Sequence, residues 1–134
     1  MGRDTTIRVL ILVVLFHTAV TVAHGWAHAK AAVTLGPAAL AFVILIVEVG
    51  PLGGLIWMRM NRAAGARLVG VTMAAAFLFG LLNHFVLPGA DRVDHVAASS
   101  PPLFQATAAL LVVVEAAGAA LGLFCARDPM RRIA

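Results

Sequence analysis

Four long apolar stretches alternate with short polar connections along this chain. They cover about 8–29, 38–58, 68–87 and 101–126. At about 1.5 Å of rise per residue, a helix of each length crosses a hydrocarbon layer of about 30 Å. A backbone in lipid has to satisfy its own hydrogen bonds, which also favours helix. We therefore predict an all-α integral membrane protein, a single domain packed as an up-down four-helix bundle.

Two prolines add local detail to this pattern. Pro101 is expected at the first position of the fourth helix, with Ser100 as its N-cap. Pro51 lies inside the second stretch and is expected to kink that helix one turn after Glu48.

Two GxxxG pairs predict places where helices approach each other closely. Gly50 and Gly54 form the pair in the second stretch, and Gly118 and Gly122 form the pair in the fourth. The motif is common in membrane helices, so it indicates packing and does not name a partner.

The basic residues predict the orientation in the membrane. Most of them lie in the second connection and the C-terminal tail, namely Arg59, Arg62, Arg67, Arg127, Arg131 and Arg132. The first connection carries only Lys30, and the third carries only Arg92 beside acidic residues. By the positive-inside rule both termini are cytoplasmic, and the first and third connections face outward. We expect a bacterial cytoplasmic membrane.

Composition narrows the class further. The chain is 62% hydrophobic and only 12% charged, unlike a soluble domain. The basic residues behind its net charge of +4 lie between and after the apolar stretches, so we expect a bilayer partner and no nucleic acid. Cys125 is the only cysteine, which excludes an intrachain disulfide. The N-terminus resembles a secretory signal, but we interpret it as a retained first helix.

Three histidines share one stripe of the first predicted helix. His24 and His28 follow His17 by seven and eleven residues, which returns each to within about 20° of the same direction. Because polar rings are costly in lipid, this stripe is predicted to face the interior of the bundle.

The depths of the polar residues in their helices predict two layers. A layer near mid-membrane contains His17, Glu48 and Glu115. An outer layer contains His24, His28 and His84, with Asn83 beside it and Asp91, Asp94 and His95 in the loop above. No histidine is predicted on the cytoplasmic side.

The outer layer predicts a transition-metal site for zinc, copper or iron. His24 and His28 have the i, i+4 spacing of metal-binding helices, and His84 is the third imidazole. His95, Asp91 or Asp94 could complete the ligand set. The remaining polar residues are predicted to form a second shell or a proton relay, namely His17, Glu48, Glu115 and Asn83.

Other interpretations stay open at this stage. His24 and His84 could bind a b-type haem axially, or the same rings could bind a quinol. The polar groups could instead be structural hydrogen bonds within an accessory subunit of a larger complex or a homo-oligomer. A proton-coupled transporter would use the glutamates. Neither glutamate begins a Glu-x-x-His pair, which argues against a di-iron centre.

Overall fold

The computed structural model describes residues 3–96 and 101–127, and this part of the chain contains helices and connections but no strand. Four helices are long and apolar enough to cross a membrane. They are α1 (Arg3–Lys30), α2 (Pro37–Trp57), α3 (Arg62–Val86) and α4 (Pro101–Ala126). The prediction of an all-helical chain with four such helices is confirmed. Ser100, Arg131 and Arg132 lie outside the described residues.

Two of the helices widen locally into π-helix. The widening covers Val43–Val49 in α2 and Leu82–Val86 in α3. In α2 it ends two residues before Pro51, which has no N–H for the carbonyl of Val47. Each π segment carries one predicted site residue, Glu48 or His84. Such segments often occur at functional sites because they redirect a side chain.

The helices pack in the order α1, α4, α3, α2, and α3 and α4 share the most extensive interface. Glycines allow this close approach. A Cβ added at Gly122 would lie 2.6 Å from the backbone nitrogen of Gly70. One added at Gly54 would lie 2.9 Å from the backbone nitrogen of Val69. Both predicted GxxxG pairs therefore contribute to helix contacts within this chain.

An apolar core fills the half of the bundle near the α2–α3 connection. Its buried members are Leu10, Val14, Met58, Ala66, Val69, Met73, Val114 and Ala126. Toward the other end, Ala27, Val96 and Phe104 form a smaller cluster. The polar interior lies between and beside these two clusters.

The helices α1 and α2 pack against each other over only part of their length. α2 contacts α1 through its last segment, Gly50–Trp57, while the part before Gly50 makes little contact with α1. The preceding part of α2 packs on α3 instead. The bundle therefore has a gap on one side, and this gap leads to the polar interior.

Candidate metal centre

Three imidazoles from two helices meet in the interior. α1 carries His24 and His28 one turn apart, and the π segment of α3 carries His84. All three are at most 8% exposed. One nitrogen from each ring lies within 4.8 Å of the others, so the three residues could hold a metal ion.

The hydrogen bonds of His24 identify which of its nitrogens carries the proton. Its Nδ1 lies 2.8 Å from Oγ1 of Thr107. That hydroxyl donates its own proton to the backbone of α4, at 2.7 Å from the carbonyl of Leu103. Oγ1 can therefore only accept from His24, which places the proton on Nδ1 and leaves Nε2 with a lone pair.

His84 and His28 follow the same arrangement. Nδ1 of His84 lies 2.9 Å from the backbone carbonyl of Asp91, and Nδ1 of His28 lies 3.4 Å from that of Val33. A carbonyl only accepts, so each Nδ1 is the donor. In a neutral ring this arrangement leaves Nε2 with a lone pair, and Nε2 of His28 also lies 3.2 Å from Oδ1 of Asp91. An oxygen on the far nitrogen is the usual support of a histidine that binds metal.

Two of the free nitrogens face each other directly. Nε2 of His24 lies 3.1 Å from Nε2 of His84. Two lone pairs at this distance repel unless a proton or a cation lies between them. In a tetrahedral zinc site, nitrogens about 2.0–2.1 Å from the metal lie about 3.3 Å apart, close to the observed distance. A planar haem would not fit between these two atoms.

The backbone turn after α3 places a carboxylate beside the rings. Oδ1 of Asp91 lies 3.2 Å from Nε2 of His28 and 3.6 Å from Nδ1 of His84. This oxygen is buried, and no hydrogen-bond donor within the described residues is aligned with it. A buried carboxylate oxygen without a donor is costly, and a bound cation would compensate it.

Phe104 forms the apolar wall of the cluster. Its fully buried ring lies 4.9 Å, centroid to centroid, from both His24 and His28, and 5.5 Å from His84. Sequence reasoning missed Phe104 and Thr107. A signal was available for Phe104, which precedes Glu115 by eleven residues and so points in nearly the same direction from α4.

Three other predicted site residues lie away from the cluster. Asp94 is half exposed and pairs with the Arg92 side chain at 2.9 Å. His95 is also half exposed, and its Nδ1 lies 3.1 Å from the carbonyl of Gly89. Asn83 donates to the carbonyl of Phe79 in its own helix. The structure does not bring these three side chains to the imidazoles.

A second polar group lies deeper in the bundle. Nε2 of His17 lies 3.3 Å from Oε1 of Glu115, and both side chains are at most 3% exposed. The Thr21 hydroxyl donates to the carbonyl of His17 and lies 3.4 Å from Nε2 of its ring. Glu48 lies beside Thr21 and His17. The three residues predicted for mid-membrane are therefore neighbours.

A cavity of about 410 Å³ connects the two polar groups. His24, His28, His84 and Asp91 line one end, and Thr21 and Glu115 line the other. Apolar residues line most of the space between them, including Val43, Val47, Phe79 and Leu111. A molecule in this cavity would contact both polar groups.

This chain matches no known protein family, no curated protein and no solved structure. Three neutral imidazoles and one adjacent carboxylate suit zinc, copper or iron.

Proposed function

We propose that this chain is an integral membrane protein that binds a transition-metal ion through Nε2 of His24, His28 and His84. The observation that carries the proposal is the 3.1 Å approach of the Nε2 atoms of His24 and His84, whose Nδ1 atoms each face an oxygen acceptor. A metal ion bound to both would replace this nitrogen–nitrogen contact with two coordination bonds.

We propose that the side chain of Asp91 supplies a negative charge next to the metal ion. Its Oδ1 atom is the buried acceptor that lacks a donor, and it lies beside His28 and His84. A divalent ion on three neutral imidazoles keeps its full charge, so a carboxylate at the site lowers the cost of burying it. Asp91 either coordinates the ion directly or orients its ligands.

The membrane location of the proposal rests on composition and on the large exposed apolar surface. Many large apolar side chains on the outside of the bundle are exposed, including Leu12, Val22, Ile56, Val113 and Phe124. Such a surface is unfavourable in water and suits lipid. We propose that the termini are cytoplasmic, that the membrane is the bacterial cytoplasmic membrane, and that the metal site lies near its outer face.

The role we propose is redox chemistry or ion handling in the cavity. The metal would lie at one end of the cavity and Glu115, paired with His17, at the other. A carboxyl group near a metal can take or release a proton during such reactions.

Elemental analysis of the detergent-purified protein tests the proposal. We expect about one zinc, copper or iron ion per chain, and its loss in His24→Ala and in His84→Ala. His95→Ala is the matched control, because this imidazole is exposed and lies away from the cluster. Size-exclusion chromatography and circular dichroism establish that each variant stays folded.

Metal-free wild-type protein after supplementation with each ion would contradict the proposal. Equal metal contents in His24→Ala, His84→Ala and His95→Ala would contradict it as well. An absorption spectrum with a Soret band would assign the imidazoles to haem instead.

A further inference from the structure

Within the described residues, the most exposed part of the cavity lining lies between α1 and the first part of α2. The most exposed lining residues are Gly25 and Ala29 on α1, Thr34 in the following connection and Leu40 on α2. They flank the gap where the outer part of α2 makes little contact with α1. In a membrane, an opening between two helices with mainly apolar edges faces the lipid.

The inner end of the cavity holds a polar atom without a partner. Glu115 is 3% exposed, and its Oε1 atom lies 3.3 Å from His17. Its other oxygen, Oε2, is buried and has no hydrogen-bond partner within residues 3–96 and 101–127. Since Glu115 lines the cavity, a bound molecule can supply the missing hydrogen bond.

Gly80 lies next to this oxygen of Glu115. A Cβ added there would lie 3.6 Å from Oε2 of Glu115 and 4.0 Å from Cδ2 of His84. A methyl group attached to the Gly80 Cα therefore fits at this point, in contact with the carboxyl and with an imidazole of the cluster. The glycine leaves the space open.

We propose that the cavity binds a small lipid-soluble alcohol, which enters from the bilayer between α1 and α2. The molecule places its hydroxyl group beside Gly80, hydrogen-bonded to Oε2 of Glu115, and its apolar part against Phe79 and Leu111. A hydroxyl can donate a hydrogen bond to this oxygen, which an ether cannot do. The inference rests on the proposed membrane insertion but not on metal binding.

The test uses photolabelling of the full chain in phosphatidylcholine vesicles. The probe is 1-octanol carrying a diazirine, compared with the methyl ether of the same molecule. We expect saturable labelling by the alcohol at cavity-lining residues such as Phe79 or Leu111. We also expect the alcohol to bind about tenfold more tightly than the ether, since one hydrogen bond to a carboxylate changes an affinity by about this factor.

Gly80→Ala supplies the decisive variant. The added methyl group covers Oε2 of Glu115 at ordinary contact distances, so the fold tolerates it while the preference for alcohol over ether disappears. Gly53→Ala is the control, because a Cβ there has nothing within 4 Å and Gly53 does not line the cavity. Comparing the alcohol-to-ether ratio between the wild type and each variant cancels the different partition of the two probes into lipid.

Three outcomes would overturn the inference: labelling that does not saturate, equal affinity for alcohol and ether in the wild type, or an unchanged preference in Gly80→Ala. Metal content is measured on the same preparations. Saturable, alcohol-selective labelling of metal-free protein would support the cavity and contradict the metal site. Bound metal with unsaturable labelling would do the reverse.

Discussion

At the scale of single residues, the hydroxyl of Thr107 determines how the imidazole ring of His24 is oriented. Because Oγ1 has given its proton to the α4 backbone, it accepts from Nδ1 of the imidazole. The ring is thereby held with its lone pair toward His84. A metal ligand with a fixed tautomer and a fixed orientation loses less freedom when the ion binds.

Thr107→Val tests this support. Valine keeps the shape of threonine but leaves Nδ1 of His24 without an acceptor, so we expect metal affinity to fall about 10- to 100-fold. Competition against a chromogenic chelator measures the change.

Thr18→Val is the matched control for that substitution. The Thr18 hydroxyl is buried but makes no hydrogen bond within the described residues, and it does not line the cavity. We expect its metal affinity to match the wild type. An equal loss in both variants would show that the Thr107 hydroxyl does not act through His24.

The residues of the cluster were only partly predictable from sequence. Helical periodicity places His24 and His28 on one interior stripe, and depth matches them with His84. Loop residues have no such periodicity, so Asp91, Asp94 and His95 could not be distinguished in advance. Only the backbone turn after α3 shows that Asp91 reaches the imidazoles, while His95 points to the carbonyl of Gly89.

At the scale of helices, glycines determine how closely the elements approach. α3 and α4 meet where Gly70 faces Gly122, and a Cβ at Gly122 would also lie 2.9 Å from the carbonyl of Ala66. This contact lies between backbones, so a side chain cannot simply rotate away. The close α3–α4 interface holds the helix of His84 against the helix that carries Glu115 and Thr107.

Gly122→Val is therefore expected to destabilise the protein by about 1–3 kcal/mol through overpacking. Thermal unfolding in detergent, followed by circular dichroism, measures the shift in midpoint. Gly53→Val makes the same chemical change where a Cβ meets nothing within 4 Å, and we expect a smaller shift. Equal midpoints for the two variants would mean that the α3–α4 approach is not limited by Gly122.

The π-helical segments could not be predicted from periodicity. A period of 3.6 residues describes the apolar pattern of α2 and α3 well enough to locate both helices. The pattern does not reveal that Val43–Val49 and Leu82–Val86 are wound more loosely. Pro51 gave a reason to expect an irregularity in α2, whereas no proline or glycine lies within Leu82–Val86.

At the scale of the whole molecule, the separation of α1 from the outer part of α2 is the least predictable feature. The sequence indicates four helices with short connections, for which a closed up-down bundle is the simplest arrangement. The structure differs from a closed bundle, because the part of α2 before Gly50 packs on α3 and makes little contact with α1. The resulting gap gives the cavity its opening and brings the proposed metal site within reach of lipid-soluble molecules.

The orientation of the whole molecule decides which compartment can supply the metal. In a background with Cys125 replaced by alanine, single cysteines are placed at two exposed positions, Met60 in the α2–α3 connection and Ala90 in the α3–α4 connection. If the arginines near Met60 are cytoplasmic, a membrane-impermeant maleimide labels Ala90→Cys in intact cells and Met60→Cys only after lysis. The reverse pattern would place the histidine cluster near the cytoplasmic face, since Asp91 lies in the same connection as Ala90 and contacts His28. Metal would then have to come from the cytoplasm, where binding would compete with intracellular ligands.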